Sequence, residues 1–168
     1  GSGMIVSNFE NSLVSWWRMD DVNGTWDPTD YMGRNNGTSV GNANRTDAGK
    51  FGKGFSFDGD GDYVRIGDDS VMNFTARNIS IFAWVNPQDI SGSSYPHIFS
   101  KDDSKQGVRF IYDYAGSGSV GNEIRVILNI SGVRQDCNAA SGGLVEGSWV
   151  QLGFTYNSTG TNIYKDGV

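Results

Sequence analysis

One stretch of the sequence concentrates the side chains that bind hard cations. Residues 20–36 carry four aspartates and three asparagines. Calcium takes about six to eight oxygen ligands from carboxylates, carbonyls and waters, which a loop rich in Asp and Asn supplies. The pattern predicts a calcium site with ligands from Asp20, Asp21, Asp27, Asp30 and Asn35. The alternative is a set of Asx turns, in which such side chains cap their own backbone.

Aromatic residues in the same stretch predict a second chemistry. Trp26 and Tyr31 lie in it, and Tyr95 lies in another predicted loop. A flat aromatic face complements the apolar face of a sugar ring, so these three are candidate carbohydrate platforms. For Trp26 the alternative is packing against its own loop. The remaining large aromatics are predicted to pack in the core or on a sheet: Trp16 or Trp17, Phe55, Phe57, Trp84, Phe99 and Trp149.

Acceptor sites for N-glycosylation are frequent in the chain. Asn-X-Ser/Thr occurs seven times, against about two to three expected from the Asn, Ser and Thr content. This excess predicts a glycosylated extracellular or cell-surface protein. The alternative is that Asn, Ser and Thr cluster in turns. The acceptors are Asn23, Asn36, Asn44, Asn73, Asn78, Asn129 and Asn157.

The segment Asp58–Asp62, with the sequence Asp-Gly-Asp-Gly-Asp, imitates the start of an EF-hand loop. Tyr63 stands where an EF-hand requires Gly, and Asp69 stands where it requires Glu. No helical pattern flanks the segment. We therefore predict a hairpin turn between two strands.

Catalytic arrays are missing from the sequence. Glycosidases need two carboxylates at a defined separation, and the chain's glutamates, Glu10, Glu123 and Glu146, stand alone. The single histidine, His97, excludes a His-rich zinc site, and a Cys137–His97 dyad has no supporting context. The chain is therefore predicted not to be an enzyme. A degraded glycoside-active enzyme is the weakest alternative.

Charge and composition exclude two classes of partner. The net charge is −6, with 16 Asp against 3 Glu, and the 13 basic residues form no run, which argues against nucleic acid. No apolar stretch approaches the roughly 20 residues that span a bilayer, so no membrane insertion is predicted. Cys137 is the sole cysteine and is interpreted as a small buried apolar residue.

Short apolar runs broken by Gly, Asn, Asp and Ser predict an all-β chain, and no helical period is present. Alternation in two of the runs, 124–130 and 150–156, predicts a two-layer antiparallel sandwich, with the face of Asn129 toward solvent. Ile79–Asn86 is apolar on both faces and predicts a central strand. The predicted strands are Leu13–Met19, Gly54–Asp58, Tyr63–Ile66, Ile79–Asn86, His97–Lys101, Val108–Tyr114, Glu123–Ser131, Trp149–Tyr156 and Asn162–Lys165.

Several motifs appear in a familiar order: Phe57–Val64, Ile79–Pro87, Ile98–Lys101, Trp149 with Thr155-Tyr156, and Ile163–Gly167. Leu13–Met19 followed by Asp30–Gly33 and Asn35–Thr38 forms the start of the same series. With these motifs the chain resembles the laminin-G-like, concanavalin A-like jelly-roll family of the lectin/glucanase superfamily.

The resemblance implies a jelly roll of two antiparallel sheets, commonly with calcium near one end. Asp30 occupies the family's Asp-x-x-Gly pattern and is its first candidate ligand. Such domains usually bind carbohydrate or protein within larger surface or secreted proteins, although a fold alone names no ligand. We therefore expect a non-catalytic, extracellular recognition or adhesion module, with calcium as its candidate cofactor, whose partner is a glycan or a surface protein.

The ends of the chain carry two further expectations. Gly1–Met4 is interpreted as an expression scar, and residues 5–168 as a single domain. By resemblance, the family's closing strands would follow Val168, so Leu13–Met19 is expected to form an open edge. The alternative function is therefore an assembly domain of a glycosylated surface protein, which pairs with a complementing C-terminal strand segment.

Overall fold

The structure is a computed structural model that describes residues 12–67, 78–90, 96–102, 107–113, 123–130, 132–139 and 143–168. These residues form eleven β-strands and no helix, which confirms the all-β prediction. Accordingly, no helix in the described ranges is long and apolar enough to cross a membrane. The chain divides into two compact units, Gly1–Met72 and Asn73–Val168.

The first unit contains two short antiparallel ladders, one nested inside the other in sequence. The inner ladder pairs β2 with β3, and the outer ladder pairs β1 with β4. The segment 47–53 therefore forms the connection of the inner hairpin. The strands are β1 (Gly37–Val40), β2 (Asn44–Thr46), β3 (Gly54–Ser56) and β4 (Tyr63–Ile66).

The second unit contains two larger antiparallel sheets. One has the strand order β11-β10-β5, and the other has the order β6-β7-β8-β9. Within each sheet, strands that follow one another in sequence pair with each other. The exception is β5, which pairs with β10 although the four strands of the other sheet lie between them in sequence. The strands are β5 (Ile79–Val85), β6 (His97–Asp102), β7 (Gly107–Asp113), β8 (Glu123–Ile130), β9 (Val133–Ala139), β10 (Val150–Asn157) and β11 (Gly160–Lys165).

The core of the second unit lies between these two sheets. Alternate residues of each strand face it, because successive side chains of a strand point to opposite faces. The rings of Phe110 and Phe154 meet edge to face across the layers, with centroids 5.3 Å apart. The two-layer sandwich is therefore confirmed, and the predicted core-facing residues of β8 and β10 are correct. The opposite face of β8, predicted to face solvent, is largely covered instead: Glu123 is 3% exposed and Ile127 is 8% exposed. The most buried core residues are Val108, Phe110, Ile124, Val126, Leu128, Leu152 and Phe154.

The prediction of a strand over Leu13–Met19 is wrong. Residues 13–18 alternate in exposure as a strand would, but they form no ladder. Instead, the N–H of Trp16 donates to Asp30 Oδ1 at 2.7 Å, and the carbonyl of Trp16 accepts from the N–H of Tyr31 at 2.8 Å. A loop thus satisfies backbone groups that the prediction left open, and within the described residues this segment is not a strand edge.

Three strands escaped prediction because they are polar. β1, β2 and β9 have the sequences Gly-Thr-Ser-Val, Asn-Arg-Thr and Val-Arg-Gln-Asp-Cys-Asn-Ala. Conversely, β5 is not central in the part of the chain that the structure describes, since it pairs only with β10. Trp84 and Phe57 were predicted to pack in the core or on a sheet, and both are exposed. Neither lies in the core: Trp84 is on the outward face of β5, and the ring of Phe57 lies 6.5 Å from that of Phe55 on β3.

The Asp58–Asp62 segment is not the turn of a hairpin, because β3 and β4 pair with different partners. Its carboxylates close the loop internally: Asp58 Oδ1 accepts from Asp60 N–H at 2.8 Å, and Asp62 Oδ2 accepts from Asp58 N–H at 2.7 Å. The side chain of Asn42 then donates to Asp58 Oδ2 at 2.9 Å. The loop therefore connects β3 of the inner ladder to β4 of the outer ladder, and Asn42 anchors it to the connection between β1 and β2.

A glycine on the outer face of β10 lets an aromatic ring lie flat on the sheet. Gly153 stands beside Phe82 in the β10–β5 register, and Phe82 is 52% exposed. A Cβ atom at residue 153 would approach Phe82 Cδ1 to 2.1 Å. The ring of Tyr164 on β11 lies 6.0 Å from that of Phe82. Glycine at this position is thus required by the ring above it.

We predict that Gly153→Ala lowers the free energy of unfolding by about 1–3 kcal/mol, because the new methyl group overlaps the Phe82 ring. In a Phe82→Ala background the same change is expected to cost less than about 1 kcal/mol. Urea unfolding of the wild type, the two single variants and the double variant measures both costs. Gly67→Ala, which introduces a Cβ into open space, is the control. Equal costs in both backgrounds would contradict this account.

Candidate functional site

The buried carboxylate of Asp30 organises the loop that sequence analysis assigned to calcium. Asp30 is only 4% exposed, and its two oxygens accept four backbone N–H groups. Oδ1 accepts from Trp16 at 2.7 Å and Met32 at 3.1 Å. Oδ2 accepts from Arg34 at 3.2 Å and Asn35 at 3.0 Å. The carboxylate therefore has the role of an Asx-type cap, with its lone pairs occupied by the chain.

These hydrogen bonds also set the acidity of the group. Burial on its own would raise the pKa of Asp30, but the N–H groups of Trp16, Met32, Asn35 and Arg34 stabilise the charged form. Together they outweigh burial and hold the pKa below its usual range. Asp30 is thus ionised because the fold solvates it with backbone dipoles.

The other four predicted calcium ligands are each engaged by a different partner. Asp20 Oδ1 accepts from the N–H of Lys53, and Asp21 forms an ion pair with Arg18. Asp27 accepts from Ser39 N–H and Thr25 Oγ1, while buried Asn35 donates to Ser15 Oγ. Among the described residues, no three His, Cys, Asp or Glu side chains form a group that could hold a metal ion. The five residues do not fit one shared calcium site, and calcium binding stays a prediction.

A tight turn presents Trp26 to solvent. Asn23 Oδ1 accepts from Thr25 N–H, Thr25 Oγ1 and Asp27 N–H at 2.7–2.9 Å, and its carbonyl accepts from Trp26 N–H at 3.1 Å. The turn holds Trp26 at a φ of 67°, the left-handed region that bulky residues rarely adopt. Such backbone strain clusters at functional positions, and it persists only where the surroundings enforce it.

Trp26 forms one wall of an open cleft of about 460 Å³, lined also by Asn44, Arg45 and Asp47. Its indole is 59% exposed. The guanidinium of Arg45 lies 4.8 Å from the centroid of the Trp26 ring, and its Nη1 donates to the carbonyl of Asp20 at 3.3 Å. A volume of this order falls within the roughly 300–1,000 Å³ of small-molecule sites. We call this the Trp26 cleft.

Charge in the Trp26 cleft is balanced. Asp47 forms an ion pair with Lys53 across the inner hairpin. The hydrogen bond from Lys53, followed by the attraction of its charge, lowers the pKa of Asp47. The cleft therefore offers an aromatic face, a carboxylate acceptor, a guanidinium donor and the carboxamide of Asn44. This set matches a neutral ligand that carries many hydroxyl groups.

Tyr31 belongs to a separate aromatic cluster with Trp16 and Arg18. The two rings meet edge to face at 5.3 Å, and the Arg18 guanidinium lies 5.0 Å from the Tyr31 centroid. Both rings are exposed, but they meet at an interplanar angle of 61° and so do not form one flat platform. The third predicted ligand residue, Tyr95, lies outside the described residues.

A second polar cluster occupies the outer face of the four-stranded sheet. Arg125 forms ion pairs with Asp113 and Asp136, and Arg134 also contacts Asp136 at 3.1 Å. The cavity beside it, lined in part by Arg109 and Arg134, measures about 60 Å³. That volume is far below the size of ordinary ligand sites. The cluster is therefore a cross-strand ion-pair network on the sheet.

The structure separates the two residues of the hypothetical Cys–His pair. His97 lies on β6 and Cys137 on β9, at opposite edges of the four-stranded sheet. Three strand spacings place them roughly 14 Å apart. Cys137 aligns with core residue Val126, whereas His97 aligns with outward Ile111. The dyad is excluded by this geometry. Cys137 is a half-buried free thiol.

Sequence analysis identified Trp26 but missed the side chains around it. Asn44, Arg45 and Asp47 belong to β2 and the turn after it, a strand too short and polar to produce a periodic signal. Nothing in their spacing from Trp26 indicates proximity. Contacts distant in sequence place them together: Arg45 Nη1 donates to the carbonyl of Asp20, and the N–H of Lys53 donates to Asp20 Oδ1.

We predict that Asp30→Asn lowers the free energy of unfolding at pH 7 by about 2–3 kcal/mol, because an amide nitrogen replaces an oxygen that accepts two N–H groups. Since the folded pKa of Asp30 is lowered, its contribution is present above the unfolded pKa of about 3.9 and is lost as pH falls through the folded value. Urea unfolding between pH 7 and pH 2 measures this. The difference in unfolding free energy between the wild type and Asp30→Asn should become smaller as the pH falls.

The exposed Asp60 provides the matched control for that experiment. Asp60→Asn is expected to change stability by less than about 0.5 kcal/mol at any pH in the series. A gap between wild type and Asp30→Asn that stays constant from pH 7 to pH 2 would contradict the role assigned to the Asp30 carboxylate.

Comparison with known families places these units in context. A laminin G-type family model, described as the concanavalin A-like lectin/glucanases superfamily, matches residues 58–168. The match covers the whole of the second unit and the last part of the first. No curated protein and no solved structure matched the chain. Domains of this kind are generally non-catalytic binding modules that are typically extracellular and commonly bind glycans or proteins. The chain belongs to the concanavalin A-like lectin/glucanase superfamily.

Proposed function

We propose that the chain is a non-catalytic extracellular module that binds carbohydrate in the Trp26 cleft. The observation that carries the proposal is the solvent-exposed indole of Trp26, which a hydrogen-bonded turn holds in a strained backbone conformation beside a polar cleft. A surface tryptophan that merely covered its own loop would gain nothing from that strain.

Sugar rings present two kinds of surface, and the cleft complements both. The C–H face of a pyranose packs on an aromatic ring, which buries apolar area without desolvating hydroxyl groups. The hydroxyl groups at the ring edge then accept from Arg45 and donate to Asp47. Both charged residues are already oriented, Arg45 by the Asp20 carbonyl and Asp47 by Lys53. Little side-chain entropy is therefore lost on binding.

The same geometry favours binding over hydrolysis. Glycosidases place two carboxyl groups about 5–10 Å apart around the scissile bond. Asp47 is the single carboxylate among the lining residues of the Trp26 cleft, and its pKa is lowered, whereas a general acid requires a raised one. These two features support a recognition role without catalysis.

An extracellular setting, as a glycoprotein of the cell surface, agrees with the sequon content. Among the described acceptors, Asn23, Asn36, Asn44 and Asn78 are exposed, and Asn129 and Asn157 are half-buried. Asn73 lies outside the described residues. A glycan of a neighbouring surface protein is the partner that the cleft would meet there, which corresponds to adhesion.

Calcium is the cofactor that this proposal retains as a prediction. Because the five expected ligands serve the fold individually, calcium is not assigned a position in the Trp26 cleft. Titration of the chelator-treated chain with millimolar calcium in a calorimeter tests for binding. Heat that saturates with a defined stoichiometry would support a calcium-assisted module.

We predict that Trp26→Ala weakens glycan binding about tenfold or more, since it removes the stacking surface. Arg45→Gln should weaken it several-fold, because a neutral amide replaces the guanidinium donor. A glycan array with and without calcium identifies the ligand, and calorimetry with that glycan measures each variant.

Phe57→Ala is the matched control, because Phe57 is an exposed aromatic residue of the same unit that does not line the cleft. Its affinity should equal that of the wild type. A broad array without any bound glycan, together with a defined oligomer on size-exclusion chromatography, would contradict the proposal. That outcome would favour the assembly domain with a complementing segment.

A further inference from the structure

We infer that the chain's own N-linked glycan, attached at Asn44, occupies the Trp26 cleft and restricts access of other glycans to it. Asn44 is the acceptor of the sequon Asn44-Arg45-Thr46 and also lines the cleft. The modification site and the binding site therefore share a residue. The effect on other glycans rests on the proposed function, whereas occupancy of the cleft does not.

The side chain of Asn44 is better placed for modification than most of the other acceptors. The Oδ1 atoms of Asn23, Asn36 and Asn157 accept hydrogen bonds from the backbone. That of Asn129 is buried. Asn44, by contrast, is exposed, and no described hydrogen bond engages its carboxamide. The nitrogen that forms the bond to sugar, Asn44 Nδ2, is therefore engaged by no described hydrogen bond.

The chemistry of attachment needs one external reactant, an oligosaccharide activated through a pyrophosphate link. The Nδ2 nitrogen of Asn44 forms a bond to the anomeric carbon of the first sugar and loses one proton. The bond from that carbon to the pyrophosphate oxygen breaks, and the pyrophosphate leaves with its electron pair. Thr46 supplies the hydroxyl that the sequon requires.

Once attached, the first sugar starts from the wall of the cleft. The other residues that line the same cleft are Trp26, Arg45 and Asp47. The backbone of β2 is held against β3 by the ladder that pairs Asn44 with Ser56 and Arg45 with Phe55. A covalent sugar thus meets the same aromatic and polar groups that the proposed function assigns to a free one.

Attachment also decides which sugar prevails. A tethered ligand has an effective concentration of about millimolar or more when its link is short. A free glycan displaces the tethered glycan only when the ratio of its concentration to its dissociation constant is the larger one. For the tethered glycan, that ratio is its effective concentration divided by its own dissociation constant. Glycans from other chains therefore bind efficiently to the cleft only when Asn44 is unmodified or its glycan has been trimmed away.

The first test measures stacking without reference to any external ligand. The full chain is produced in a host that N-glycosylates secreted proteins, and mass spectrometry measures occupancy at Asn44. We expect glycosylation at Asn44 to raise the melting temperature by about 2–4 °C relative to Thr46→Ala. In a Trp26→Ala background the same comparison should show a shift near zero.

Two matched variants control this cycle. Thr46→Ser preserves the sequon and should retain both the glycan and the shift, whereas Asn44→Gln should lose both while leaving Thr46 intact. The inference is overturned if Asn44 carries no glycan, or if its glycan raises the melting temperature equally with and without Trp26.

The second test measures access to the cleft. The wild type and Thr46→Ala, both from the glycosylating host, are applied to the same glycan array. We expect Thr46→Ala to bind at least tenfold more tightly, and Trp26→Ala to abolish that gain. Equal binding by an occupied wild type overturns the restriction while leaving the proposed function standing. If neither chain binds any glycan, the proposed function fails, and the melting-temperature cycle still decides occupancy of the cleft.

Discussion

The need to satisfy backbone N–H groups shapes this chain more visibly than any single apolar contact. In the first unit, where strands are short, the carboxylate of Asp30 collects four of these groups and fixes the loop from Trp16 to Asn35. In the second unit, antiparallel ladders collect them and leave the side chains to form the core. Asp side chains thus replace strand partners where the sheet is missing.

The predictable part of the fold follows from two-residue alternation. In β8 and β10 the apolar residues recur at every second position, so their buried faces could be assigned from sequence. The segment Leu13–Met19 also alternates, but the N–H of Trp16 donates to the distant carboxylate of Asp30 and not to a neighbouring strand. A pattern reports which face is buried and not which group accepts the hydrogen bond. The polar strands β1, β2 and β9 lack even that signal.

The site was predictable only in its aromatic component. An indole in a loop rich in Asp and Asn is visible in the sequence, whereas the approach of Arg45 depends on hydrogen bonds between the inner hairpin and Asp20. The acidic loop was assigned to a cation because the sequence does not show whether an aspartate is free to bind an ion or caps backbone N–H groups. Their difference lies in the direction of neighbouring N–H groups, which only the folded chain determines.

The nesting of β2–β3 within β1–β4 bears on the order in which the first unit folds. Closing the short connection 47–53 brings β2 to β3 at a small entropic cost, and the outer pair then needs little additional loop closure. Strand pairing in this unit is expected to begin at the turn and then extend to β1 and β4, because contacts that are close in sequence form fastest. Asn44, Arg45 and Asp47 lie beside the turn where pairing begins. One wall of the cleft is therefore built by the most local strand pairing of the first unit, before the tryptophan that lines it has been brought into place.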